Sequence, residues 1–157
     1  EVDSNKYSKS DLALAYSRIA EVFVSNGINK DAEKYYKKAN SLMPFVISYK
    51  IKYGSFLLKD NRIEEATYIF HQALGLNPTI KEVHLNLGYI ALLNQDFISA
   101  ENRLKQAIAL DPDYILAYEN LVLSAQMQNK IEDTKLYLHK ILEIAPNHKA
   151  QLILDNL

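Results

Sequence analysis

The chain has no cysteine, and only four prolines and four glycines among 157 residues. Without cysteine, disulfides, thiolate chemistry and Cys-based zinc sites are excluded. Long apolar runs are missing too. A membrane span needs ~18 apolar residues, whereas a stretch such as Tyr89–Leu93 is as long as any here, so no membrane insertion is expected. Charge of one sign is not in excess: 18 Lys and Arg face 19 Asp and Glu, for a net charge of -1. Binding to nucleic acid draws much of its affinity from basic side chains on phosphates. With no basic surplus and no basic run, nucleic acid is not an expected partner. What is present is ordinary for a folded chain, 48% apolar and 24% charged residues, so disorder over most of the length is excluded. The first residue is Glu1, not Met, and no signal peptide is visible. The chain therefore reads as a fragment of a longer or processed protein, with its compartment unassigned.

The few prolines carry the organisation. Pro44, Pro78, Pro112 and Pro146 are spaced at 34 residues, and no other proline exists. With proline as position 32, repeats run 13–46, 47–80, 81–114 and 115–148. Other columns then align. Position 8 holds Ala20, Gly54, Gly88 and Val122; position 20 holds Ala32, Ala66, Ala100 and Thr134; position 27 holds Ala39, Ala73, Ala107 and Ile141. Small residues at such positions let two helices approach closely. Larger ones fill the space between units: Tyr36, Phe70, Leu104 and Leu138 at position 24, with positions 7 and 30 in the same role. Repeat 4 has no small residue in the three close-contact columns, which predicts a looser helix pair.

Within each repeat the apolar spacing is three and four, which is helical. Proline cannot continue a helix and disfavours helical geometry in the residue before it, so each proline marks a boundary. Gly27, Asn61, Gln95 and Asn129 share position 15, where a helix-to-helix turn is expected. Gly and Asn tolerate the left-handed backbone that ends many helices; Gln95 fits this less well. Helix starts are expected at Ser10 or Asp11, at Thr79 paired with Glu82 as a capping box, and at Asp113 and Asn147. Residues 1–8 are polar and expected to fray. Residues 149–157 match the start of a fifth repeat, read either as a capping helix or as a truncated one.

This pattern closely resembles the tetratricopeptide repeat family, over residues 13–148 in unbroken register. Lys50 and His84 depart from it at position 4, where the family has an aromatic residue, and Ala91 and Ala125 at position 11, where it has a large one. The resemblance implies an all-α fold, a right-handed superhelical solenoid of four helix-turn-helix repeats plus a C-terminal helix, forming a single domain over 1–157. It implies a protein-interaction scaffold, not an enzyme, that holds a peptide or helix of a partner protein in a concave groove. In the family, positions 2, 5, 6, 9, 12 and 13 face that groove. From these, Lys52, Leu85, Asn86, Tyr89, Leu92, Asn120, Leu123 and Met127 are the candidate partner-binding residues. The leucines, Tyr89 and Met127 would take apolar side chains of a ligand. Asn86 and Asn120 share position 6 and resemble two rungs of the asparagine ladder that some members use to hold an extended peptide. The two-carboxylate clamp of the co-chaperone subclass is not met. It requires Lys and Asn, then Asn, then Lys and Arg, where this sequence has Ser17, Glu21, Lys52, Glu82 and Asn86. A structural spacer or self-assembly unit, with homo-oligomers formed through the C-terminal helix, is the alternative role.

Catalytic or cofactor motifs are not found. The glycines build no phosphate loop. No two of His71, His84, His139 and His148 lie four residues apart as on a zinc-binding helix, so neither a metal nor a cofactor is expected. Acidic pairs such as Glu64–Glu65 lie near helix starts, where they complement the helix dipole.

Overall fold

A computed structural model describes residues 7–157, and every regular element among them is an α-helix. Residues 1–6, in the stretch expected to fray, lie outside the described residues. The first helices of the repeats are α1 (Lys9–Ser25), α3 (Ile47–Lys59), α5 (Lys81–Leu93) and α7 (Ile115–Met127). The second helices are α2 (Asn29–Leu42), α4 (Ile63–Leu76), α6 (Phe97–Leu110) and α8 (Ile131–Ile144), and a short α9 spans Ala150–Leu154. Each second helix opens at position 17 and closes at position 30, two residues before its proline. None of these helices is long and apolar enough to cross a membrane. The chain forms two compact units, residues 1–78 and 79–157, each holding two repeats.

The turn inside each repeat is built four times in one way. Gly27, Asn61, Gln95 and Asn129 all take positive φ, between 55° and 73°. In each, the N–H of the next residue reaches back to a carbonyl five residues earlier: Ile28 to Phe23, Arg62 to Leu57, Asp96 to Ala91 and Lys130 to Ala125, all at 2.9 Å. A second bond runs from the left-handed residue itself, as from Gly27 N–H to Val24 C=O. This is the Schellman closure, which satisfies carbonyls that the helix end would leave open. Gln95 adopts the same backbone as the two asparagines, so the surrounding hydrogen bonds override its weaker preference.

Helix starts differ from expectation. Ser8 caps α1, its Oγ accepting the Asp11 N–H, and Asp96 caps α6 by accepting the Ser99 N–H; both bonds are 3.1 Å. Ile80, Tyr114 and Lys149 occupy the cap positions of α5, α7 and α9. Thr79, Asp113 and Asn147 are thus not N-caps. The segment after each proline stays non-helical further than the cap chemistry implied, and helices α3, α5 and α7 begin at position 1 of the next repeat.

The small-residue columns are buried as expected: Ala20, Ala32, Ala66, Ala100, Ala39, Ala73 and Ala107 are closed to solvent. Their partners at position 24 are buried with them, Phe70 and Leu104 completely. In the first unit Tyr36, Tyr53 and Phe56 pack ring on ring with centroids 5.3–6.4 Å apart. Position 30 does not act as filler throughout, since Leu76 and Leu110 remain exposed at the last turns of α4 and α6. At position 4, Lys50 is buried and donates from Nζ to Gln72 Oε1 at 3.0 Å, and burial pulls its pKa below the usual lysine range.

A charged network ties α2 to the α3–α4 turn. Arg62 meets Glu33 at 2.9 Å and Glu65 at 2.7 Å, Lys37 meets Glu33 at 2.8 Å, and the Tyr53 hydroxyl donates to Glu33 at 3.2 Å. The Arg62 guanidinium, helped by Lys37 and opposed by burial, holds the Glu33 carboxyl at about 2 against its ordinary 4.5. A depressed carboxylate adds stability that is present above the unfolded-state pKa and lost as pH falls through the folded one. Acid titration of helicity should therefore show a component lost between about pH 4.5 and about pH 2 that is absent from Glu33→Gln. At neutral pH the same variant should cost about 1.5–3 kcal/mol in urea unfolding, the range for a charge-assisted hydrogen bond.

Candidate functional site

Helices α5 and α7 pack side by side in the second unit, and both are apolar on nearly every side. α5 buries Val83, His84, Leu87, Gly88, Ile90, Ala91 and Leu92; α7 buries Ala117, Leu121, Val122, Ser124 and Ala125. A helix that is hydrophobic all round is ordinarily covered all round. These two are not. Tyr89 (37% exposed) and Leu93 on α5, with Leu116, Leu123 and Met127 (46%) on α7, stay open to solvent. Position 9 supplies Tyr89 and Leu123, and position 13 supplies Leu93 and Met127, so the repeat register aligns them in rows.

Six of the candidate residues come together on this pair of helices: Leu85, Asn86 and Tyr89 on α5, and Asn120, Leu123 and Met127 on α7. Leu85 is half-buried against the cluster of Leu104, Ala107, Ala117 and Leu121, and forms the floor of the face. The two amides are equivalent in detail. Asn86 Nδ2 donates to Glu82 C=O and Asn120 Nδ2 to Leu116 C=O, both at 2.7 Å. Each amide is thereby fixed on its own helix and keeps an oxygen and one N–H for a ligand backbone.

Two candidates do not join them. Lys52 belongs to the first unit, where its Nζ lies 2.6 Å from Glu21. Leu92 is a correction: it is 1% exposed, packed with Ala91, Ala100 and Phe97. The small side chain of Ala91 at position 11, where the family has a large one, leaves room in the core, and the neighbouring leucine turns in to fill it.

Sequence reasoning missed an open cavity of about 320 Å³ at the end of this face, lined by residues of α7, α8, α9 and the segment before α9. Asn120 and Leu123 line it, with Leu138, Ile141 and Ile153 as apolar wall and Glu119 at its edge. Glu119 Oε1 is 2.9 Å from Lys149 Nζ and 3.5 Å from His148 Nε2. His148 Nδ1 accepts the Ala150 N–H at 3.1 Å, which leaves the ring proton on Nε2, directed at Glu119. The available signal was Glu119 at position 5 of repeat 4. The cavity itself depends on α9, which does not continue the register of the second unit: Ala150 at position 2 is buried there, where repeats 3 and 4 bury position 3.

A family model described as tetratricopeptide repeat matches residues 57–122. Among curated proteins, the chain is similar to the protein O-mannosyl-transferase TMTC3 of Homo sapiens, 24% identical over 88% of this chain and 17% of that protein. The chain spans less than a fifth of the length of the curated relatives it matches. Among solved structures, it is similar to pilF of Pseudomonas aeruginosa, with TM-score 0.82 and 20% identity over 94% of this chain and 68% of that one. YrrB, a TPR protein with an unusual peptide-binding site, aligns with TM-score 0.75 and 21% identity over 92% of this chain and 75% of its own. At such identities the likeness to solved structures establishes the fold.

Proposed function

We propose that this chain, a tetratricopeptide repeat protein, is a protein-interaction scaffold that seats an apolar peptide or helix of a partner on the α5–α7 face. The observation that carries the reading is the pair of apolar rows, Tyr89 with Leu123 and Leu93 with Met127, left open on helices whose other sides are covered. An amphipathic helix or an extended segment presents apolar anchors at matching intervals. The amides of Asn86 and Asn120 would then set its register through hydrogen bonds to its backbone. The fold shared with a protein that has a peptide-binding site supports this reading in kind. Arrays of this type are generally non-catalytic scaffolds. The transferase named in the human relative is a protein of which this chain spans 17%, and a scaffold role needs no catalysis from the chain.

Affinity capture from a lysate tests it, with three forms of the chain compared. A partner taken by the wild type should be lost by Tyr89→Lys/Leu123→Lys and kept by Ile98→Lys, which alters an exposed apolar residue on α6 away from the face. Equal capture by all three would dismiss the face as the working surface.

A further inference from the structure

Resting on that reading, we infer that the segment held on the α5–α7 face carries a large apolar side chain beside a basic one. The apolar group would enter the cavity under α9, and the ammonium or guanidinium would pair with Glu119. The cavity, at about 320 Å³, has a wall of Leu123, Leu138, Ile141 and Ile153, which suits one apolar side chain of a bound segment. One carboxylate lines it, that of Glu119, with Lys149 and His148 of the same lining held against it. Among the groove positions of repeats 3 and 4, the charged residues are Glu82 and Glu119, and none is basic. Lys81, next to Glu82, is taken up elsewhere: it pairs with Asp111 and stands 4.7 Å from the Tyr114 ring centroid. The same sign holds for the whole unit, since residues 79–157 carry seven Lys and Arg against ten Asp and Glu. A basic segment is therefore steered to this unit and an acidic one repelled.

Glu119 already displays the contact. Lys149 holds its carboxylate from within the chain at 2.9 Å, yet the Lys149 side chain is 70% exposed. An ion pair with so exposed a partner contributes little, so exchange for an incoming lysine or arginine is nearly neutral, while apolar burial in the cavity supplies the affinity. Lys149 is thus an internal competitor for the site that the ligand's basic residue takes.

The test uses two synthetic amphipathic peptides with the same apolar residues at i, i+3, i+4 and i+7, one flanked by Lys and the other by Glu. Binding is read by fluorescence anisotropy at low salt. The Lys peptide should bind the wild type about tenfold more tightly than the Glu peptide, a difference of about 1.4 kcal/mol. Glu119→Lys should reverse the preference. Lys149→Ala should tighten the Lys peptide several-fold, an effect that a purely structural role for Lys149 does not produce. Equal affinities, a preference for the Glu peptide, or weaker binding of the Lys peptide by Lys149→Ala would overturn the inference. If those results come with binding still abolished by Tyr89→Lys, the scaffold reading survives; if neither peptide binds the wild type, the inference falls and the lysate capture alone decides the scaffold reading.

Discussion

Phe70→Ala should lower the free energy of unfolding by about 3–5 kcal/mol, the cost of removing a large side chain from a closed core. Phe70 is fully buried at position 24, and its ring lies against Gly54 of α3. A Cβ added at Gly54 would stand 2.8 Å from Phe70 Cε1 and 2.9 Å from Cζ. Replacing a glycine inside a helix by alanine is ordinarily worth about 1 kcal/mol, but here that gain meets an overpacking cost of about 1–3 kcal/mol. Gly54→Ala alone should therefore destabilise by about 1 kcal/mol. In the Phe70→Ala background the clash is gone and part of the cavity is filled, so the same change should stabilise by about 1 kcal/mol. A double-mutant cycle in urea, followed by helical circular dichroism, reads the coupling. Additive effects would mean that the close approach of α3 and α4 does not depend on this pair.

The second large effect is at Leu92. Leu92→Lys places an ammonium among the apolar side chains of Ala91, Ala100 and Phe97. The loss should be about 3–5 kcal/mol, comparable to stranding one partner of a buried ion pair. Tyr89→Lys, three residues away on the open side of α5, should change stability by less than about 0.5 kcal/mol, as surface substitutions do. Thermal melts of the two variants separate the cases. A Leu92→Lys protein as stable as the wild type would show that the side chain is free to turn out to solvent.

That contrast marks how far the sequence could be read. The proline spacing located the second helices, because a residue that cannot continue a helix leaves the same mark in every repeat. The left-handed turns were legible from Gly27, Asn61 and Asn129, and even Gln95, the poorer fit, proved to follow them. The Ala and Gly columns were legible because close approach of two helices admits few residue types. Leu92 was not. Its direction depends on the volume of Ala91 next to it, and a repeat template assigns direction by position, not by the size of a neighbour. The helix starts failed for a related reason: Thr79, Asp113 and Asn147 have the chemistry of caps, but the chain after each proline runs on before it coils. The cavity beside Glu119 was beyond reach as well, since it exists only where α9 leaves the repeat register, and nothing in residues 149–157 taken alone signals that departure.

The order of packing inside each unit bears on how the chain reaches its fold. In the first unit α1 packs on α2, α2 on α3 and α3 on α4; in the second the same succession runs from α5 to α9. Partners are therefore adjacent, or next but one, along the chain. Little loop-closure entropy has to be overcome before a contact forms, and chains with such local contacts cross their folding barrier quickly. A polypeptide leaving the ribosome can finish one hairpin of helices before the next has been synthesised. The apolar row of α7 then emerges onto α5 and α6 already paired, which shortens the time its backbone is available for aggregation.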